Sequence, residues 1–412
     1  MTGLKIRQMI WLAATGLVIS GGPAQSHDDW PACQVVPTRA CVLTEAIGRL
    51  RDDAPQAHDA KFAEWHRLLY LRLSEIASIT RNRELFDEAR RSAEANPEPE
   101  TRRSALRWVA AGQARAGFPD EALATLADGD HGGFAAGEIA LALALAGRPE
   151  EALATVRRLD EPEAKVRALV RLAGATCSAH WLRHATALVA DIGDESAQSG
   201  LWSSIAIAYA QLWQRDSALR IAGLIATGYR RAEALAGIAA AIHDGRLLED
   251  ARNYAGHVPD HSHQDETWAA LARAEIALGA LQQAYQTLRA KLPSAASRAL
   301  AAAVGELAAV YWLNGDPSGA RKVIDELLGG SWTIGEARTV LARRLIAADR
   351  LDDARQLSFL VDEITFDTLS AEIALKQAGN HAFTSALMTA DSIQHPGRRS
   401  PTLAEISALL PE

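Results

Sequence analysis

The stretch from Leu235 to Tyr254 reads LAGIAAAIHDGRLLEDARNY, and it contains the unit from which most of the chain is built. Apolar residues recur at three- and four-residue steps through Leu235, Ile238, Ala239 and Ile242, the stripe of an amphipathic helix. Gly245 breaks the run, and Leu248, Ala251 and Tyr254 begin a second stripe. Two helices joined by a tight corner are expected. Ala239 and Ala251 lie twelve residues apart and are small enough to let the two helices approach closely.

Working outward, the same pair of alanines recurs ten times. The second alanine falls at Ala89, Ala122, Ala152, Ala185, Ala218, Ala251, Ala284, Ala320, Ala354 and Ala386, at intervals of 30 to 36 residues. Twelve residues before each stands another alanine, preceded by Val, Ile or Leu, from Ile76-Ala77 and Val109-Ala110 to Leu341-Ala342 and Ile373-Ala374. Gly117 with Pro119, Gly147 with Pro149, and Asp316 with Pro317 supply a terminator followed by a proline suited to a first helical turn. Acidic pairs such as Asp120-Glu121, Glu150-Glu151 and Asp352-Asp353 fall where the second helix begins and its dipole favours negative charge. A hairpin of this size cannot bury its apolar face alone, so neighbours must stack. The expected fold is all-α, an α-solenoid of about ten helical hairpins wound as a right-handed superhelix.

Composition agrees. In 412 residues, 48% are hydrophobic and 23% charged, which excludes global disorder, and only 6% are aromatic, which disfavours a sheet-rich fold. The formal charge of −8 argues against a phosphate-binding surface. Six lysines against 37 arginines is the usage of a GC-rich bacterial genome.

These residues resemble the tetratricopeptide repeat family in divergent form. Gly117, Gly147, Gly279 and Gly315 fall on the family's turn-glycine position, Trp202 and Trp268 on its early aromatic position, and Tyr209 and Tyr311 on its mid-helix aromatic position. The other six units carry Glu84, His180, Trp213, Arg246, Asp349 and His381 where the family has the turn glycine, and the closing proline is missing. The resemblance covers roughly residues 60 to 393. It implies a groove, lined by one face of the first helices, that takes peptides or protein segments. Carrying one inner-face position over unit by unit gives Ala111, Leu141, Gly174, Ile207, Ala240, Arg273, Ala309, Arg343 and Leu375. Arg273 and Arg343 would pair carboxylates of the bound segment, with Leu141, Ile207 and Leu375 among its apolar contacts. Tight packing of the solenoid explains the same residues.

The chain ends read differently. Lys5 and Arg7 precede an apolar stretch from Met9 to Ser20, followed by Gly21, Gly22 and Pro23, and Ala24 and Ser26 sit at the −3 and −1 positions of a cleavage site. Residues 1–26 are therefore expected to be a signal peptide, removed on export to the periplasm or beyond. An uncleaved membrane anchor is the other reading. In an oxidising compartment Cys33 and Cys41 are expected to form a disulfide within an N-terminal cap of residues 27–60, and Cys177, in an apolar helix, to be a buried thiol. The repeat array would run over 61–393, with 394–412 as a C-terminal cap that includes a short closing helix from Leu403 to Leu410.

Catalytic motifs do not appear: there is no P-loop, Gly-x-Gly-x-x-Gly, His-Glu-x-x-His, Cys-x-x-Cys or Gly-x-Ser-x-Gly. His257, Asp260, His261, His263 and Asp265 cluster in an inter-unit loop, but Pro259 spoils regular ligand spacing and a polar surface loop explains them. His180 and His184 flank a helix start. No catalytic residue, metal or cofactor is expected. The sequence points to a non-catalytic exported scaffold or adaptor for a protein or peptide partner of the cell envelope, with no nucleic acid and no stable membrane span after cleavage. The alternative is a periplasmic polysaccharide-processing enzyme with a helical-toroid fold, whose cleft would be lined by aromatics and acids.

Overall fold

A computed structural model describes residues 30–52, 60–96, 98–126, 133–258, 261–291 and 297–411. The expected signal peptide lies outside them. Among the described residues there are 23 helices and no strand. A short helix α1 (Trp30–Val35) is bonded through Cys33 to Cys41 in α2 (Arg39–Asp52), with 6.2 Å between the two Cα atoms. Ten consecutive helix pairs follow. They are α3 (Ala60–Thr80) and α4 (Arg83–Glu94), α5 (Pro99–Arg115) and α6 (Pro119–Thr125), α7 (Gly133–Leu145) and α8 (Pro149–Arg157), then α9 (Pro162–Thr176) and α10 (His180–Val189). Next come α11 (Glu195–Gln211) and α12 (Arg215–Ala222), α13 (Gly228–Ile242) and α14 (Arg246–Gly256), and α15 (His261–Ala277) and α16 (Leu281–Lys291). The last three are α17 (Arg298–Leu313) and α18 (Pro317–Leu327), α19 (Ser331–Ala347) and α20 (Leu351–Ser358), and α21 (Glu363–Gly379) and α22 (Phe383–Asp391). Helix α23 (Pro396–Leu409) ends the chain. This is an α-solenoid of helical hairpins, and the expected closing helix, Leu403–Leu410, matches the second half of α23, which begins seven residues earlier at Pro396.

The alanine pairs are where the helices meet. Every one of the twenty anchor alanines is at most 1% exposed, as are the Val, Ile and Leu residues that precede the first of each pair. Neighbouring first helices approach still closer at a few glycines. A Cβ on Gly305 of α17 would stand 2.4 Å from the carbonyl oxygen of Ala337 in α19, and one on Gly112 of α5 would stand 2.2 Å from Ser74 Oγ in α3. Helix starts follow the capping chemistry: the side chains of Asn82, Asp194, Ser297 and Asp316 accept from the amides of Leu85, Ala197, Leu300 and Gly319. Pro119, Pro149 and Pro317 open their helices as expected.

The corners depart from expectation in three pairs. Gly117, Gly147, Gly279 and Gly315 take positive φ, and so do Trp213, Asp349 and His381, each five residues before the second alanine. Glu84, His180 and Arg246 do not: they lie inside α4, α10 and α14. There the left-handed residues are Arg81, Cys177 and His243, three positions earlier, and Gly245 has an ordinary φ of −65°. The packing constraint sits on the alanines, not on the corner. Because the two alanines keep their offset of twelve and stay buried, the corner slides back three residues while the same faces meet. The same shift corrects the reading of Cys177. It terminates α9 in the left-handed region and is exposed, a free thiol at a corner rather than a buried one.

Polar rungs cross three of the hairpins. Gln113, Glu275 and Gln377 each stand three residues after the first alanine of their pair, and each accepts from a threonine twelve residues on: Thr125 (2.7 Å), Thr287 (3.2 Å) and Thr389 (2.8 Å).

The helices divide into two compact units. One comprises residues 1–142 with 363–412, the other residues 143–362. In the first, both ends of the chain share one apolar core: Val42, Leu50, Leu73 and Phe86 with Leu387, Ile393, Leu403 and Ile406. Helix α23 lies against α2, α3, α21 and α22. Arg39 donates to the carbonyl of Leu410 (2.8 Å), and Arg49 pairs with Asp391 (2.8 Å).

Candidate functional site

Within this first unit, α3, α21 and α23 enclose a cleft of about 710 Å³. Its geometry is set by two polar contacts. Asp367 of α21, only 3% exposed, accepts from the backbone amides of Gln394 (3.0 Å) and His395 (2.8 Å). A carboxylate there satisfies amides at the start of α23 and complements its dipole. Arg72 of α3 lies flat against Gly397, where a Cβ would come within 2.8 Å of Nη2, and its Nη1 donates to Glu75 one turn on (3.0 Å). Ala371, Leu375 and Pro401 supply apolar wall, and Ile364 stands 76% exposed on the rim.

Glu405 of α23 faces this cleft from the other side. Burial, with a smaller push from the neighbouring Glu75 carboxylate, raises its pKa to about 7. No hydrogen bond to Glu405 is made among the described residues. A carboxyl that holds its proton near neutrality can donate a hydrogen bond as well as accept one, and beside it Glu75 is ion-paired with Arg72. Neither carboxylate was singled out in the sequence. Glu75 and Glu405 are 330 positions apart, and only the return of α23 onto α3 brings them to one place.

The residues expected to line an inner groove are distributed over both units. Leu375 belongs to the cleft, and Leu141 is half-buried in α7. In the second unit Ile207 packs over Gly237, where a Cβ would meet its Cδ1 at 2.7 Å. Arg273 of α15 donates to the carbonyl of Ala299 (3.1 Å) and pairs with Glu306 of α17 (3.4 Å), which also pairs with Arg344 of α19 (3.1 Å). Arg298 and Glu336 form a parallel rung between α17 and α19 (3.1 Å). Arg273 thus already has a carboxylate supplied by the next repeat. Arg343 is exposed on α19, beside Arg344. Glu306 and Glu336, two and six residues before their alanine anchors, were missed because no periodic apolar signal marks them.

A second cleft, of about 620 Å³, lies in the second unit against α14 and the α15–α16 corner, lined by Leu248, Arg252, Leu278 and Gln283 among others. Behind it Glu275 is fully buried, with one oxygen accepting from Arg252 and Thr287 and the other without a partner. Burial raises its pKa.

The histidine cluster does not converge. His263 stacks on Tyr229 with ring centroids 4.2 Å apart, and His257 Nδ1 lies 2.6 Å from the carbonyl of Asn253. Asp260 and the side chain of His261 lie outside the described residues, and no group of three metal-ligating side chains occurs among those described. His180 and His184 both belong to α10 with rings 4.7 Å apart; burial, then the charge of His180, lowers the pKa of His184. No described helix is long and apolar enough to cross a membrane.

No known family model matches this chain, and no curated protein matches it. Among solved structures it is similar to Ton1535 from Thermococcus onnurineus NA1, at 14% identity over 66% of this chain and 98% of that one, with a TM-score of 0.29. It is also similar to a Rap protein in complex with the Competence and Sporulation Factor, at 13% identity over 88% of this chain and 99% of that one, with a TM-score of 0.33. Likenesses this slight carry nothing about function.

Proposed function

We propose that this chain is an exported, non-catalytic scaffold of divergent tetratricopeptide-like hairpins that binds a segment of a protein or peptide partner in the cell envelope. The observation that carries this reading is the cleft of the first unit. Its volume lies in the range of ligand-sized clefts, and it sets an apolar wall of Ala371, Leu375 and Pro401 beside charged groups of both signs. That combination suits an amphipathic polypeptide segment. Leu141 in the first unit, and separately Ile207, Arg273 and Arg343 in the second, are the further inner-face positions that would touch such a segment. The Cys33–Cys41 bond supports an oxidising compartment. On this reading residues 1–26 direct export, 27–60 and 394–412 cap the array, and 61–393 form it.

A second reading is favoured by one feature. Two glutamates in one cleft, one holding its proton near neutrality and the other ion-paired, form an arrangement suited to acid–base hydrolysis of a polysaccharide. Crosslinked pull-down of the full chain from its native envelope separates the two. A partner lost on Leu375→Asp supports the scaffold and places its site in the cleft. A partner lost only on Arg273→Glu or Arg343→Glu moves the site to the second unit. Turnover of envelope polysaccharide that disappears in Glu405→Gln, without a partner, overturns the scaffold.

A further inference from the structure

Helix α23 is the last element of the chain and sits on its first ones, so whatever governs its seat governs whether the two ends stay joined. Most of the contacts around it are settled. Helix α2 presents Arg39, which donates to the carbonyl of Leu410, and Arg49, which pairs with Glu45 and with Asp391 of α22. Helix α21 presents Asp367, fixed on the amides of Gln394 and His395, with Glu363 and Glu372 further along the cleft. Helix α3 presents Arg72 and Glu75, already paired with each other. Helix α23 itself carries Arg398, and His395 immediately precedes the helix. Glu405 has no such contact: it is partly buried, it lines the cleft together with Glu75, and it has no hydrogen-bond partner among the described residues.

We propose that the seat of α23 on α3 is a proton-operated latch, in which a proton on Glu405 holds the C-terminal helix down and its loss loosens that helix and opens the cleft. Ionised Glu405 would place a second carboxylate beside Glu75, whose own partner is the Arg72 guanidinium. The first cause is burial of Glu405 and the second is Glu75, and both act only while α23 is seated. The seated value is about 7 against 4.5 for a free glutamate. Because the seated pKa is the higher, the seated state binds the extra proton. The latch is therefore tightest below about pH 4.5, weakens as pH rises towards 7, and weakens no further above that. That difference corresponds to about a 300-fold change in the seating equilibrium. Nothing in this depends on what the cleft binds, or on whether it is a scaffold or an enzyme.

Hydrogen exchange of the full disulfide-bonded chain, read by mass spectrometry between pH 5 and 8 and corrected for intrinsic exchange, tests it. Peptides covering 400–410 are expected to lose protection by up to about 100-fold across that range while α17 does not. Glu405→Gln is expected to hold α23 protected at every pH, and Glu75→Gln to shrink the step. Protection of α23 that runs parallel to α17 overturns the latch, as does the same step in Glu405→Gln. If Glu405→Gln does not fold, a parent α23 that loses most of its protection above pH 7, where ionisation of Glu405 is already largely complete, overturns it.

Discussion

Replacing Gly305 by alanine sets two opposing effects against each other. Inside α17 the change should help, because alanine is favoured over glycine in a helix interior by about 1 kcal/mol. Across the α17–α19 contact it should hurt. The new Cβ would stand 2.4 Å from the Ala337 carbonyl oxygen, 2.9 Å from Val340 Cβ and 3.0 Å from Ala337 Cα. Two of these three are backbone atoms, so no rotamer change relieves the overlap. Reaching ordinary contact requires the helices to part locally by about 1 Å, and a gap of that size forfeits about a quarter to a half of each dispersion contact around it. Overpacking costs about 1–3 kcal/mol, and overlap onto backbone atoms puts this case in the upper part of that range, about 2–3 kcal/mol, so packing wins and the net loss is about 1–2 kcal/mol. Gly335 in the facing helix α19 is the internal control. A Cβ there meets nothing within 4 Å, and Gly335→Ala should gain about 0.5–1 kcal/mol. Urea unfolding followed by far-ultraviolet circular dichroism, with exchange protection of α17 and α19 as the local readout, measures both. A Gly305→Ala protein as stable as the parent, or more so, would refute the close helix approach.

Other outcomes follow from single side chains. Glu275→Gln keeps the oxygen that accepts from Arg252 and Thr287 and reproduces the glutamines at the equivalent positions 113 and 377, so it should stay within about 1 kcal/mol of the parent, whereas Glu275→Ala should lose about 2–4 kcal/mol. Because burial raises the folded pKa of Glu275, its contribution is largest when it is protonated and falls as pH climbs above the ordinary carboxylate range, so Glu275→Gln should gain on the parent with rising pH; chemical denaturation at two pH values checks this, and equal losses for Gln and Ala would refute it. Reducing the Cys33–Cys41 bond, whose cysteines are eight positions apart, should lower stability by about 2–3 kcal/mol from loop entropy, seen as a drop in melting temperature that Cys177→Ser does not reproduce.

What could be read from the sequence was what short-range geometry requires. Two helices joined by a tight corner must present small residues to each other at a fixed offset, and that condition stamped Ala77 and Ala89, and nine further pairs, into the chain. Corners impose a weaker condition. Any residue can occupy the left-handed region for about 1–2 kcal/mol, so Arg81, Cys177 and His243 turn their hairpins with nothing in their chemistry to announce it. The Gln/Glu-to-Thr rungs were visible in principle, as a polar residue three positions after an anchor followed twelve later by threonine. Apolar periodicity does not mark them. The cleft was beyond reach altogether. Glu75, Asp367 and Glu405 become neighbours only because α23 returns to α3, and no local pattern encodes a contact over hundreds of residues.

That return also bears on how the protein is made. Hairpin repeats can ordinarily fold in the order they are synthesised, each resting on the one before. Here the bond from Arg39 to the carbonyl of Leu410 spans 371 residues, and Leu50 and Leu73 share their core with Leu403 and Ile406. At about 5–20 residues per second, the ribosome delivers the closing partner about 20–75 s after the opening one. For that interval α2, and the part of α3 that α23 will cover, lack that native partner, and an escort that shields nascent chains would be needed at the beginning of this protein rather than in its middle.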